Sequence, residues 1–335
     1  MFLLSEEKVG KNNADVDDGR WLMEEGDFNV NVIVLVGPTC SGKTNLSLKL
    51  SQLIPAEIIS ADSRQIYKFL DIGTAKPSKH ELEKVPHHLI DILDPTENYD
   101  VSMFEKDAER VIEEIFNKNK TPIVVGGSGL YIKALIDGIF DTADKDDEYR
   151  KELHQKRNEF GNEFLYNELK KVDPESAAKM LPQNWKRVMR ALEVFHTTGE
   201  PIWEHHQKQS REKEKKYIFK QFGLNWERKI LYENIDKRVD EMIEAGFVEE
   251  VENILNKSYD KNLNSLNTVG YKEIIQYLDG ELILEKAIDL IKRNTRHYAK
   301  RQLTWFRKDK RIHWFDVNNY IELDKLAGRI ISFLN

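Results

Sequence analysis

The sequence predicts an α/β fold: a P-loop parallel-sheet core with an inserted all-helical domain. Three observations carry that reading. A β-branched run at residues 30–36 leads straight into a glycine-rich loop and then a helix. Two more short apolar runs follow, alternating with helical segments. Strand signals then stop near Asp141 and return only at Tyr217. Alternating strands and helices build a parallel sheet covered by helices. A charged helical stretch between two of its strands reads as an insertion.

Apart from Asn31, residues 30–36 are apolar, as in a strand buried on both faces. Residues 45–53 have helical apolar spacing. Residues 57–60 form a second strand that ends just before Asp62. In residues 101–117, Phe104, Ala108, Val111, Ile112 and Ile115 mark one face of a helix. Residues 122–125 form a third strand ending in Gly126-Gly127. Residues 144–209 are charged and helical, punctuated by Pro174 and Pro182. Residues 217–224 return to the sheet, and the chain from Lys229 onward is helical with breaks at Gly246, Gly270 and Gly280. The predicted organisation is an acidic, disordered extension at 1–28, a core at 29–141 and 215–335, and a helical insertion at 142–214.

Composition narrows the class. The 335 residues are 40% apolar and 33% charged, ordinary for a globular chain. No run of about 18 apolar residues is present, so no membrane partner is expected. The single cysteine, Cys40, excludes an intramolecular disulfide and a Cys-based zinc cluster, and fits a reducing cytoplasm. Residues 5–27 do not read as a targeting leader, and Met23 is a candidate alternative start.

Gly37-Pro38-Thr39-Cys40-Ser41-Gly42-Lys43-Thr44 matches the phosphate-loop pattern in full, between a strand and a helix. Backbone amides and the helix N-terminus would hold phosphate oxygens, Lys43 would add a full charge, and the Thr44 hydroxyl would face Mg²⁺. The loop specifies a diphosphate or triphosphate but not which one. A nucleotide kinase or ATPase would carry a strand ending in Asp after four apolar residues. The candidate strands end instead in Ser60-Ala61-Asp62-Ser63 and Gly126-Gly127-Ser128.

Charge is unevenly spread. The whole chain carries −7, yet residues 286–311 hold ten Lys or Arg against two acids, a local balance of +8. Arg293, Arg296, His297, Lys300, Arg301 and Thr304 recur at helical spacing, with Tyr298, Trp305, Phe306 and Trp314 interleaved. Basic charge with aromatics suits an RNA loop, although Trp305 and Phe306 equally suit a core. His87 and His88 are adjacent on an extended segment, so they face opposite ways and make a poor metal pair.

Several blocks together resemble one family, the tRNA dimethylallyltransferases. They are Asp62-Ser63-Arg64-Gln65-Ile66-Tyr67, Asp71-Ile72-Gly73-Thr74-Ala75-Lys76-Pro77, Pro86-His87-His88-Leu89-Ile90-Asp91-Ile92 and Gly126-Gly127-Ser128-Gly129-Leu130-Tyr131. Then come Arg187-Val188-Met189-Arg190-Ala191-Leu192-Glu193-Val194, Val269-Gly270-Tyr271-Lys272-Glu273 and Lys300-Arg301-Gln302-Leu303-Thr304-Trp305-Phe306-Arg307. Two positions depart from the family pattern: Cys40 stands where Ala or Gly is usual, and Ser128 where Thr is usual.

The resemblance implies transfer of a dimethylallyl group from dimethylallyl diphosphate. The acceptor would be the exocyclic amine of adenosine 37, beside the anticodon, in tRNAs reading codons that start with U. Asp62 would be the base, although an aspartate past a strand also caps the next helix well. Ser128, Lys43 and Arg228 would act on the diphosphate with Mg²⁺. The resemblance also assigns tRNA contacts to Asp62, Ser63, Arg64, Gln65, Ser128, Arg150, Lys186, Arg187, Val188, Met189, Arg190, Asn267, Thr268, Val269, Gly270, Tyr271, Lys272 and the 300–307 block. The insertion would grip the anticodon stem-loop. A cytoplasmic monomer is expected. Adenylate isopentenyltransferases share the loop and base, and a nucleotide kinase or ATPase remains the other alternative.

Overall fold

In the computed structural model, which describes residues 31–139, 146–205 and 217–334, Asn31–Val36 forms strand β1. Val32, Ile33, Val34, Leu35 and Val36 are all 0% exposed. Burial of each such side chain contributes about 1.5–3 kcal/mol, so this run sets the centre of the core. Next come α1 (Lys43–Leu53), β2 (Ala56–Ser60), α2 (Lys79–Lys84), β3 (His87–His88), α3 (Val101–Asn117), β4 (Thr121–Gly126) and α4 (Gly129–Asp137). Helices α5 (Asp147–Val172), α6 (Pro174–Ala177) and α7 (Trp185–Thr198) precede β5 (Ile218–Trp226). The chain finishes with α8 (Arg228–Glu244), α9 (Phe247–Asn256), α10 (Tyr271–Leu278), α11 (Leu284–Phe306), β6 (His313–Val317) and α12 (Glu322–Ser332).

The six strands form one sheet in the order β3-β2-β4-β1-β5-β6, and every pairing is parallel. The turns after β1, β2 and β4 therefore leave the same edge, the carboxyl edge where ligands bind in open α/β sheets. One face of the sheet packs Leu46 and Leu50 of α1 against Leu323, Leu326 and Ile330 of α12. The other packs Phe104, Val111 and Ile115 of α3 with Ile132 and Leu135 of α4.

Helices α5 to α7 gather a cluster of their own from Leu153, Leu165, Leu169, Val188, Met189 and Leu192. Arg150 clamps Glu193 across it with two hydrogen bonds of 2.6 and 2.7 Å.

The sequence reading differs from the structure in several places. It has no β3, α2 or α4, and it reads β6 as helix. Strand β3 is two residues long, too short for any periodicity. Helix α1 begins at Lys43 rather than Asn45, because the phosphate loop feeds directly into its first turn. The 1–28 extension, residue 30 and both predicted insertion boundaries, at 142 and 214, lie outside the described residues.

Candidate active site

A cavity of about 550 Å³ opens at the carboxyl edge of the sheet, with the phosphate loop as one wall. Gly42 sits at φ 86°, a left-handed conformation that glycine adopts at little cost, and delivers the chain into α1. Cys40 is also left-handed, at φ 60°, which disfavours a residue with a β-carbon. Tyr320 holds it there: its hydroxyl donates to the Cys40 carbonyl at 2.8 Å. The Trp226 indole N–H donates to the Ser41 carbonyl at 3.0 Å. Ser41 is 0% exposed, and its Oγ has no partner among the described residues.

Lys43 donates to the Pro38 carbonyl at 2.6 Å. Burial pushes its ammonium down to about 8, against the pull of Cys40 and Asp62. Burial also pushes the Cys40 thiol up.

Asp62 lies two residues past β2 and lines the same cavity. Its Oδ1 accepts from the Arg64 amide at 2.8 Å and the Gln65 amide at 3.4 Å. The capping alternative is thus partly realised, in a turn rather than at a helix. Ser128, at the N-cap of α4, accepts the Ser63 amide at 3.1 Å and so ties the β4 loop to the turn bearing Asp62. The Gln65 side chain donates to the carbonyls of Thr74 and Ala75. Glu250 fixes the segment just before them, accepting the Asp71, Ile72 and Gly73 amides and the Tyr271 hydroxyl.

The structure places Arg228 away from the cavity. It opens α8, is exposed, and lies 5.2 Å from the Tyr232 ring centre, outside the cavity lining. The same helix presents Arg238, with Asn234 and Lys237, to the cavity. The three lie at i, i+3 and i+4, one face of a helix. The resemblance pointed to Arg228, whereas Arg238, which faces the cavity, lies almost three turns further along the helix. Lys76, Tyr298 and Tyr320 also line the cavity; the sequence reading named Lys76 only within a family block and Tyr298 only among the aromatics of the basic stretch, and did not name Tyr320.

Several expected RNA contacts are buried. Val188 and Met189 are 0% and 4% exposed in the helical cluster, and Tyr271 is 0% exposed under Glu250. Gly270 is buried as well. Gln302 and Phe306 face inward from α11, at 6% and 2% exposure. Gln302 accepts the Thr39 amide and donates to the Gly127 carbonyl. A β-carbon on Gly127 would meet the Gln302 amide nitrogen at 2.1 Å, so this approach requires glycine. Leu303 is half-buried against the core. Arg150 is committed to Glu193.

Lys186, Arg187, Asn267, Lys272, Lys300, Arg301, Thr304, Trp305 and Arg307 are exposed, while Ser63, Arg64, Arg190, Thr268 and Val269 are half-buried. His87 and His88 do face different surroundings: His87 lines the cavity, and His88 pairs with Glu57 at 2.8 Å.

A model of the IPP transferase family matches residues 65–309. A tRNA dimethylallyltransferase of Alkaliphilus oremlandii is 47% identical over 302 residues, covering 90% of this chain and 96% of its own. Its counterpart in Acetivibrio thermocellus is 45% identical, covering 91% and 97%. Among solved structures, the tRNA isopentenylpyrophosphate transferase of Bacillus halodurans superposes with a TM-score of 0.66 at 40% identity, over 90% of this chain and 96% of that one. A eukaryotic dimethylallyltransferase acting on tRNA gives 0.77 at 29% identity, over 90% and 78%.

Proposed function

This chain belongs to the IPP transferase family, and on that footing we propose that it transfers a dimethylallyl group from dimethylallyl diphosphate to the N6 amine of adenosine 37 in tRNAs reading codons that begin with U. The observation that carries the reading is the convergence of Lys43, Arg238 and Asp62 on one cavity. Two cations and an acid in one cavity suit displacement of a diphosphate by a weak nucleophile.

As the allylic C–O bond breaks, negative charge grows on the leaving diphosphate. Lys43, Arg238 and the loop amides stabilise that charge more than the ground state, which lowers the barrier. The buried Ser41 hydroxyl adds a further donor. The adenine amine is weak because its lone pair is delocalised; Asp62 accepts its proton as the new bond forms. Oδ1 is occupied by the turn amides, which orients the carboxylate and leaves Oδ2 for the substrate. Ser128 holds the Asp62 turn from just outside the cavity lining; the family resemblance would have it offer its proton toward the bridging oxygen.

Mg²⁺ fits this donor set. Among the described residues no three His, Cys, Asp or Glu side chains cluster to cage a metal. Mg²⁺ instead needs one or two protein oxygens beside phosphate oxygens, and Thr44 lines the cavity at the first turn of α1. When bound, it would neutralise charge on the diphosphate.

An adenine must leave its stack to reach Asp62. Exposed Lys300, Arg301 and Arg307 on or beside α11, with Lys186 and Arg187 on α7, would neutralise the phosphates of the anticodon arm, with α5 to α7 as the grip. One cavity within one chain supports a monomer, taken to work in the cytoplasm. Among the described residues no helix is long and apolar enough to cross a membrane. Incubating the purified protein with dimethylallyl diphosphate and, side by side, unmodified tRNA, AMP or ATP tests the proposal. Prenylation of tRNA alone supports it. Prenylation of AMP alone, or ATP turnover without the prenyl donor, refutes it.

A further inference from the structure

A second pocket, of about 420 Å³, lies on the α4 side of the sheet, between that helix and the end of α11. Its chemistry differs from that of the first. Gln221 of β5 lines it, is 4% exposed, and has neither its amide oxygen nor its amide nitrogen hydrogen-bonded among the described residues. Its amide nitrogen lies close enough to Asp309 to help hold that carboxyl down as a hydrogen-bond donor, behind the stronger effect of Arg311, so the amide oxygen is the atom with no partner on either count. A buried acceptor left unpaired is costly, so a side chain of this kind in a cavity wall points to a ligand. Ile132, Ile136 and Phe306 supply apolar walls, and Trp305 lines the pocket at 37% exposure. Lys133, Lys308, Lys310 and Arg311 against Asp137 and Asp309 leave the lining at net +2.

We propose that this pocket is a nucleobase site, in which Gln221 pairs with the adjacent donor and acceptor of a base edge, Trp305 stacks on the base, and the lysines neutralise its phosphate. A carboxamide matches such an edge with two hydrogen bonds. Base-to-indole stacking is favourable and tolerates any base, since each has a π-face. The base belongs either to a nucleotide of the RNA other than the one that reacts, or to a free mononucleotide. The site does not depend on prenyl transfer.

The test uses the full chain with saturating inorganic pyrophosphate, which occupies the phosphate loop. Binding of the four ribonucleoside 5′-monophosphates is measured by saturation-transfer NMR and crystal soaking, for the wild type and for Gln221→Leu. The wild type should bind at least one of them with its base on Gln221. Gln221→Leu should weaken that binding tenfold or more, and without nucleotide it should melt no lower than the wild type, because it removes an unpaired buried acceptor at the loss of only a weak contact to Asp309. An RNA source predicts that Gln221→Leu also raises KM for tRNA several-fold, with kcat and KM for dimethylallyl diphosphate unchanged. A free-nucleotide source predicts unchanged tRNA kinetics. No nucleotide in the wild-type pocket, equal affinity in both proteins, or a lower melting temperature for Gln221→Leu (an amide already satisfied by water) overturns the proposal.

Discussion

The Thr39 amide donates to Gln302 Oε1 at 2.8 Å, joining the phosphate loop to α11 across 263 positions of chain. The other end of the same carboxamide donates to the Gly127 carbonyl at 3.0 Å. One buried side chain thus sets the distance between the phosphate loop and the turn that carries Ser128. Gln302→Leu leaves both backbone groups unpaired, at about 1–3 kcal/mol each. It should lower the melting temperature and raise KM for dimethylallyl diphosphate. Unchanged values of both would show that the brace is dispensable.

Arg238 and Arg228 separate cleanly. Arg238→Ala removes a cation from the cavity wall and should lower kcat/KM for the diphosphate by about two orders of magnitude, as loss of a charge-stabilising donor does. Arg228→Ala changes only an exposed contact to Tyr232 and should stay within about threefold of the wild type. Steady-state kinetics with varied donor decides, and the reverse pattern would restore Arg228.

Asp62→Asn keeps the oxygen that accepts the Arg64 and Gln65 amides and loses the base. Turnover should fall by about two to four orders of magnitude with the melting curve intact. Near-normal turnover would show that Asp62 only shapes the turn.

Burial lowers Lys43 to about 8, so free enzyme loses this cation as pH rises through that value. The diphosphate prefers the protonated form, and kcat/KM for the donor should therefore fall above about pH 8. Stability runs the other way. The unfolded lysine stays protonated to about 10.4, so between those values the unfolded state binds more protons and stability from this group rises with pH. A pH–rate profile flat to pH 10 would contradict the assignment.

Glu57 is 1% exposed at the start of β2, away from the carboxyl edge. Burial alone would raise its carboxyl; hydrogen bonds from Lys120, His88 and Lys118 outweigh that and hold it at about 2. A depressed carboxyl stabilises the fold above its unfolded value, near 4.3, and that stability is lost as pH falls toward 2. Glu57→Gln should flatten acid unfolding in this window without altering donor or tRNA kinetics. An acid limb identical to the wild type's would remove Glu57 as its source.

What the sequence made legible was local. The phosphate loop is eight consecutive residues, and Asp62 follows a strand by two, so both could be placed without knowing any long-range contact. Arg238 could not: its role depends on which face of a 17-residue helix meets the cavity, and that is set by packing. The basic count over residues 286–311 described the solvent side of α11 and overlooked the opposite side, where Ala299, Gln302 and Phe306 recur at three and four residues and are buried. β6 shows the same limit. Only Phe315 and Val317 of its five residues are buried, an alternation too short to stand out against the helices around it.

The most direct test of prenyl transfer to tRNA is mass analysis of bulk tRNA nucleosides from a strain lacking this gene. N6-isopentenyladenosine should disappear, return with the wild-type protein, and stay absent with Asp62→Asn. Its persistence in the deletion strain at wild-type levels would contradict the account.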